Sequence, residues 1–211
     1  MLLYYITDRK QFPGDETVRR QALLDKISEA ARCGVDFIQL REKDLSVREL
    51  QKLADEAVAT VRQAGTSTRL LINSRVDLAI AAKADGVQLR SKDISPKEVR
   101  KIYKGGELPD PVVGVSCHTL DDVDQAEVDG ASFVVLSPVF EKLGMPEISP
   151  VGLKELSEAA SRKIPVLALG GVTFENALEC LHADVAGIAG IRLFQEHDIC
   201  DTVRELRSSP K

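Results

Sequence analysis

The sequence predicts an α/β fold, a single compact (β/α)8 barrel of the TIM type spanning residues 1–211. Three observations predict it. Short β-branched runs alternate with amphipathic segments eight times along the chain, and repeated strand–helix alternation implies a parallel sheet closed on itself. Each run is apolar at almost every position, as expected of strands covered on both faces. The length of 211 residues leaves about 26 per unit, near the lower limit of such barrels, so no second domain is expected. A doubly wound open sheet would carry a glycine-rich turn after its first strand, and none is there.

The predicted strands are Leu2–Thr7, Phe37–Arg41, Arg69–Asn73, Gly86–Leu89, Val112–Cys117, Phe133–Ser137, Pro165–Leu169 and Val185–Ala189. Between the first two, Val18–Cys33 carries Val18, Ala22, Leu23, Ile27 and Ala30 at helical spacing. Val47–Gln63 repeats the pattern with Leu50, Leu53, Ala54, Ala57, Val58 and Val61, the apolar stripe of a helix lying on a sheet. Ser95-Pro96-Lys97-Glu98 reads as a capping serine, a proline at the first helical position and a reciprocating glutamate. Thr119 precedes an acidic first turn, Asp121 and Asp122, and suits a cap. Gly34 and Gly65 follow helical patterns and suit left-handed C-terminal caps.

Composition narrows the function. A net charge of −5 lacks the broad basic field of a nucleic-acid binder. No apolar run reaches the length of a membrane span. The N-terminus is apolar and then charged, the reverse of a secretory signal, so a cytoplasmic protein is expected. The four cysteines form no CxxC and no zinc-type spacing. Cys33 and Cys180 lie among apolar helical positions and are expected as buried hydrophobes. Cys117 adjoins His118, but neighbours on a strand face opposite ways, which argues against a nucleophile pair.

In a barrel, chemistry collects at the C-terminal ends of the strands. Those ends read Thr7-Asp8, Gln39 to Lys43, Asn73-Ser74-Arg75, Asp93, Ser116-Cys117-His118, Ser137-Pro138, Gly170-Gly171 and Gly187 to Gly190. Gln39, Arg41 and Lys43 alternate along one predicted strand and would share a face. Two cations in a barrel mouth call for an anion such as phosphate, diphosphate or carboxylate; the alternative is an internal ion pair with Asp8, Glu42 or Asp93. Gly170, Gly171, Ala189 and Gly190 close the last two strands, where exposed backbone N–H groups can hold phosphate. The alternative is a pair of tight turns. On the phosphate reading, Gly171→Val would block the ligand and leave the fold largely intact. Histidine as a residue type suits general acid–base work near neutrality, which makes His118 a candidate; otherwise it is a cap or rim histidine. His182 and His197 read as surface.

Taken together, Tyr5-Ile6-Thr7-Asp8, Gln39 to Lys43, Ile72-Asn73, Gly86-Val87-Gln88-Leu89, Asp93, Gly114 to His118, Pro138-Val139-Phe140 and Ala168 to Val172 resemble the thiamine phosphate synthase superfamily. That superfamily contains the synthase and the TenI-type thiazole tautomerase, both (β/α)8 barrels. The resemblance implies that Gln39, Arg41, Lys43, Asn73 and Ser116 hold a pyrimidine diphosphate in a synthase. It implies a magnesium ion between two aspartates, one matching Asp93; the other position here is Ser74. The synthase's Thr-x-Thr-Lys segment is replaced by Glu141 to Pro146, with Met145 at the lysine position; nothing in the sequence shows whether the neighbouring Lys142 reaches inward. These departures, with Asn73 to Asp77, Ser95-Pro96-Lys97 and Val139-Phe140-Glu141, resemble the tautomerase. The expectation is therefore an isomerase that aromatises a dihydrothiazole carboxylate phosphate. His118 would move the proton and no cofactor would be needed, magnesium entering only in a synthase. Little synthase activity is expected, and His118→Asn should slow tautomerisation. The rival readings are the synthase itself, a transferase, and a non-catalytic phosphate binder. The expected partner is a small phosphorylated thiazole, with no nucleic acid and no membrane; self-association is left open.

Overall fold

Successive residues of the first strand enter two different cores. Tyr4 and Ile6 point into the barrel with Leu71, Phe133, Val135, Leu167 and Ala189. Leu3 and Tyr5 pack outward beneath the helices with Leu23, Ile38, Leu53 and Ile72. Both sets are buried, which is why the strand lacks polar alternation. The computed structural model describes residues 1–141 and 149–208.

The strands are β1 (Leu2–Ile6), β2 (Phe37–Leu40), β3 (Arg69–Asn73), β4 (Gly86–Arg90), β5 (Val112–Cys117), β6 (Phe133–Leu136), β7 (Val166–Ala168) and β8 (Gly187–Gly190). All pair in parallel, each with its sequence neighbours, and β1 closes on β8 with Tyr4 opposite Ala189. The helices are α1 (Glu16–Arg32), α2 (Val47–Ala64), α3 (Val76–Ala81), α4 (Pro96–Gly105), α5 (Leu120–Val128), α6 (Gly152–Ala160), α7 (Phe174–His182), α8 (Arg192–Gln195) and α9 (Ile199–Ser208). The chain is a (β/α)8 barrel, and the expected helix starts hold. Ser95 and Thr119 both form reciprocal capping boxes, with Glu98 and Asp122. Gly65 takes the left-handed C-terminal cap of α2.

Aromatic rings fill the lower barrel. Phe37 and Phe133 stack at 4.9 Å, and Tyr4 meets them edge-on at 5.9 and 5.5 Å. Gly114 makes this possible, because a Cβ there would overlap the Phe133 ring and the Gln88 amide. Above the rings the interior turns polar. The Tyr4 hydroxyl donates to Gln88 Oε1 at 3.0 Å, and Gln88 Nε2 donates to Ser116 Oγ at 3.0 Å.

One cysteine departs from expectation. Cys180 is a buried free thiol, but Cys33 is only half-buried and forms a disulfide with Cys200. Cys33 caps the C-terminus of α1, and α9 lies across that end, bringing the two Cα atoms to 4.9 Å. A contact across 167 residues of sequence leaves no local spacing signal.

Candidate active site

The rim carries a polar layer across β2–β5. Gln39 is buried and donates through Nε2 to Asn73 Oδ1 at 2.9 Å, beside the Gln88–Ser116 pair. Four adjacent strands thus present amide and hydroxyl groups to the barrel mouth. Three of these residues, Gln39, Asn73 and Ser116, were expected. Gln88 and Tyr4 were missed as site residues, although alternation along β4 and β1 places them on the inner face.

Arg41 and Lys43 follow β2 rather than belonging to it, since the strand ends at Leu40. Their shared side is therefore set by a loop, and an ion cluster shapes that loop. Glu42, between them, is buried. It accepts the Thr7 hydroxyl at 2.6 Å and Arg9 Nη1 at 3.0 Å. Thr7 Oγ1 in turn accepts the Arg41 backbone N–H at 3.0 Å. Arg9 also reaches Asp44 at 2.7 Å and Glu16 at 2.7 Å. Hydrogen bonds from Arg9 hold the Asp44 carboxyl well below the usual carboxylate range, despite its desolvation. Of the three acids named in the ion-pair alternative, Glu42 is engaged by Arg9 and Asp93 by Arg90.

His118 lies just past β5, exposed, with its backbone N–H bonded to Asp122 at 2.8 Å. Its Nδ1 is 2.6 Å from the Ser137 carbonyl. A carbonyl only accepts, so Nδ1 carries a proton and Nε2 is the nitrogen left for a ligand. Cys117 points the other way and is buried, which, with the Asp122 charge, pushes its thiol up to about 12. It is no nucleophile.

At the opposite side of the mouth, Gly170, Gly171, Ala189 and Gly190 lie at or just beyond the ends of β7 and β8, as expected. The reason for glycine at 171 is different from the one expected. Gly171 has φ +68°, and a Cβ would fall 2.6 Å from the Glu141 carbonyl and 2.7 Å from Phe140 Cβ. The glycine lets the β7 end pack on the β6 loop, so Gly171→Val would not leave the fold intact. Gly171→Ala should already lower stability by about 1–3 kcal/mol through strain and overpacking. Thermal denaturation measures this, and an unchanged melting temperature would refute it.

The resemblance implies a magnesium ion, and the donor set does not fit a protein-held one. Asp93 supplies one carboxylate, Ser74 stands where the second would be, and Arg90 engages both Asp93 oxygens. Among the described residues, no group of three His, Cys, Asp or Glu side chains could hold a metal. Burial raises the Asp93 carboxyl, but bonds from the Arg90 guanidinium and backbone outweigh it and hold it below its ordinary range. Ser74 contributes in the same direction. Its buried hydroxyl approaches Asp93 without a well-formed hydrogen bond, from a residue at φ +57°. Lys142 and Met145, with the rest of the 142–148 stretch, lie outside the described residues.

Comparison with known proteins decides the lineage. The family model described as thiamine monophosphate synthase matches residues 3–194. The chain belongs to this family. It is 41% identical over 195 residues to a putative thiamine-phosphate synthase 2 of Aquifex aeolicus, covering 92% of this chain and 97% of that one. It is 35% identical over 217 residues to a thiamine-phosphate synthase of Caldanaerobacter subterraneus subsp. tengcongensis, covering 99% and 95%. The structure of a thiamine phosphate pyrophosphorylase from Pyrococcus furiosus superposes with a TM-score of 0.79 at 31% identity, covering 98% of this chain and 93% of that one. These family members are named as synthases, which overturns the tautomerase expectation and the isomerase class with it. The expectation over-weighted Ser74 and the 141–146 stretch. The preserved set Gln39, Arg41, Lys43, Asn73 and Ser116 carried the better signal. Among the described residues no helix is long and apolar enough to cross a membrane.

Proposed function

We propose that the chain is a thiamine-phosphate synthase, a transferase joining a pyrimidine diphosphate to a thiazole phosphate. The observation that carries the reading is the polar layer on β2–β5, Gln39–Asn73 and Gln88–Ser116, beneath the Arg41–Lys43 loop, in a member of this family. The reaction breaks the bond between the pyrimidine methylene carbon and a diphosphate oxygen. The electron pair leaves with the diphosphate, and the thiazole nitrogen supplies the pair for the new C–N bond. The chain's task is to orient two substrates and stabilise charge growing on the leaving oxygens. Arg41 and Lys43 provide cationic donors for those oxygens, and the amides of Gln39 and Asn73 and the Ser116 hydroxyl provide neutral ones. His118 Nε2, opposite the anchored Nδ1, serves as a further donor when protonated. The glycine ends of β7 and β8 suit the thiazole phosphate, because backbone N–H groups there can hold a phosphate.

Incubation with pyrimidine diphosphate, thiazole phosphate and magnesium, followed by chromatography, tests the reading. Thiamine phosphate and one equivalent of pyrophosphate are expected. Arg41→Ala should reduce kcat/KM by about tenfold to a thousandfold, the range for losing one charged donor at such a site. Absence of product from wild-type protein that binds both substrates would overturn the assignment.

A further inference from the structure

Arg90 is a rim cation with no role in the scheme above. It ends β4 two residues after Gln88, so alternation starts its side chain on the face of the strand that Gln88 presents to the barrel interior. Its Cα partner across the sheet is Ser116, a residue of the polar layer. The Arg90 side chain is 70% exposed, and its guanidinium donates to Asp93 Oδ1 from Nη2 at 2.9 Å and from Nε at 3.1 Å. The Asp93 side chain is only 14% exposed, so the low cost of opening holds for the solvated arginine end and depends on the carboxylate keeping other donors. Opening would not strand Asp93. Its Oδ2 keeps the Arg90 backbone N–H at 2.9 Å, and the Ser74 hydroxyl lies beside the carboxylate without a well-formed bond of its own. A guanidinium fork also matches two phosphate oxygens as well as it matches a carboxylate.

We propose that Arg90 is a diphosphate-recognition residue, whose guanidinium exchanges the Asp93 carboxylate for oxygens of the leaving group beside Ser116. Asp93 parks the arginine in the free protein. The pair places a cation where, among the described residues, Ser74 stands in place of the second carboxylate and no protein-held metal site is formed. The role in turnover rests on the synthase reading; the binding of the anion does not.

The test is calorimetric titration of inorganic pyrophosphate into the full chain in chelator-treated buffer. Wild type should bind, and Arg90→Gln should weaken binding by about tenfold to a hundredfold, the loss of charge-assisted hydrogen bonds. Arg204→Gln, the same charge change on α9, should stay within about twofold because a remote exposed charge is screened. Asp93→Asn, which unparks the arginine, should bind at least as tightly as wild type. With substrates, Arg90→Gln should raise KM for the pyrimidine diphosphate and leave KM for thiazole phosphate unchanged. Equal pyrophosphate affinity in wild type and Arg90→Gln, or no binding to wild type, would overturn the proposal. So would an Asp93→Asn loss as large as that of Arg90→Gln, which would trace the effect to loop structure. Arg90-dependent pyrophosphate binding without thiamine phosphate formation would reject the synthase reading and retain the anion site.

Discussion

Glu42→Ala should lower stability by about 3–5 kcal/mol, the range for removing one partner of a buried ion pair. The Glu42 side chain is 1% exposed and that of Arg9 is 4% exposed. Truncation leaves the Thr7 hydroxyl and the Arg9 backbone N–H without the oxygens they now use at 2.6 and 3.1 Å. It also removes one carboxylate from Arg9, although Asp44 and Glu16 remain. Glu42→Gln keeps an acceptor and the volume, so it should cost clearly less, about 1–2 kcal/mol. Urea denaturation of the three proteins measures both values. The consequence for function runs through the backbone. Thr7 joins Glu42 to the Arg41 N–H, so loss of Glu42 releases the loop that presents Arg41 and Lys43. Glu42 is a positioning residue. Its alanine variant should raise KM for the diphosphate substrate, and the glutamine variant should largely restore it. Equal stability of wild type and Glu42→Ala would show that the cluster is solvated in solution. Equal KM in the two variants would detach Glu42 from the loop.

The barrel was legible because its signals are local and repeated. β3 and β5 begin and end where the apolar runs do, and β1, β2 and β6 stop one residue early. Those strand ends are where the chain leaves the sheet for polar partners, such as Glu42 or the Ser137 carbonyl, which no periodicity reports. The polar rim was legible for the same reason, since Gln39, Asn73 and Ser116 lie at or near the C-terminal ends of predicted strands and His118 follows one directly. Arg90 was not, because the predicted fourth strand stopped at Leu89. One more residue of strand would have put Arg90 in phase with Gln88. The role of Gly171 was misread because its constraint comes from Phe140 and Glu141, which only the folded chain brings there. Activity was misread for a different reason. Single replacements such as Ser74 are conspicuous, whereas similarity spread over 195 residues does not stand out in one sequence.

Breaking the Cys33–Cys200 disulfide should lower stability by about 2–4 kcal/mol, with loosening concentrated in α9. The bond joins residues separated by 167 positions, and cross-links that close long loops remove the most entropy from the unfolded chain. Much of α9 is held by groups near the same corner. The Ile199 N–H donates to Glu29 at 2.7 Å, Lys26 donates to the His197 carbonyl at 2.9 Å, and Arg207 donates to the Gly34 carbonyl at 2.7 Å. Ile199, Val203 and Leu206 are buried beneath the helix. With these contacts intact the reduced protein should keep its barrel, so the loss is partial rather than complete. Compartments that hold glutathione reduced keep such pairs as thiols, which makes the reduced form a state worth measuring in its own right. Thermal melts with and without dithiothreitol should differ for wild type and coincide for Cys200→Ser. Hydrogen exchange should show the added opening in Ile199–Ser208 before it reaches β1 or β8. The same helix follows α8, whose Gln195 accepts the Tyr5 hydroxyl at 2.9 Å and donates to the Asp8 carbonyl at 2.7 Å. That places the start of the β1 loop one element away from the disulfide. If reductant leaves the wild-type melt unchanged, the cross-link either does not form or contributes nothing beyond the contacts around it. Exchange that accelerates uniformly through the barrel would instead show that α9 and the sheet open as one cooperative unit.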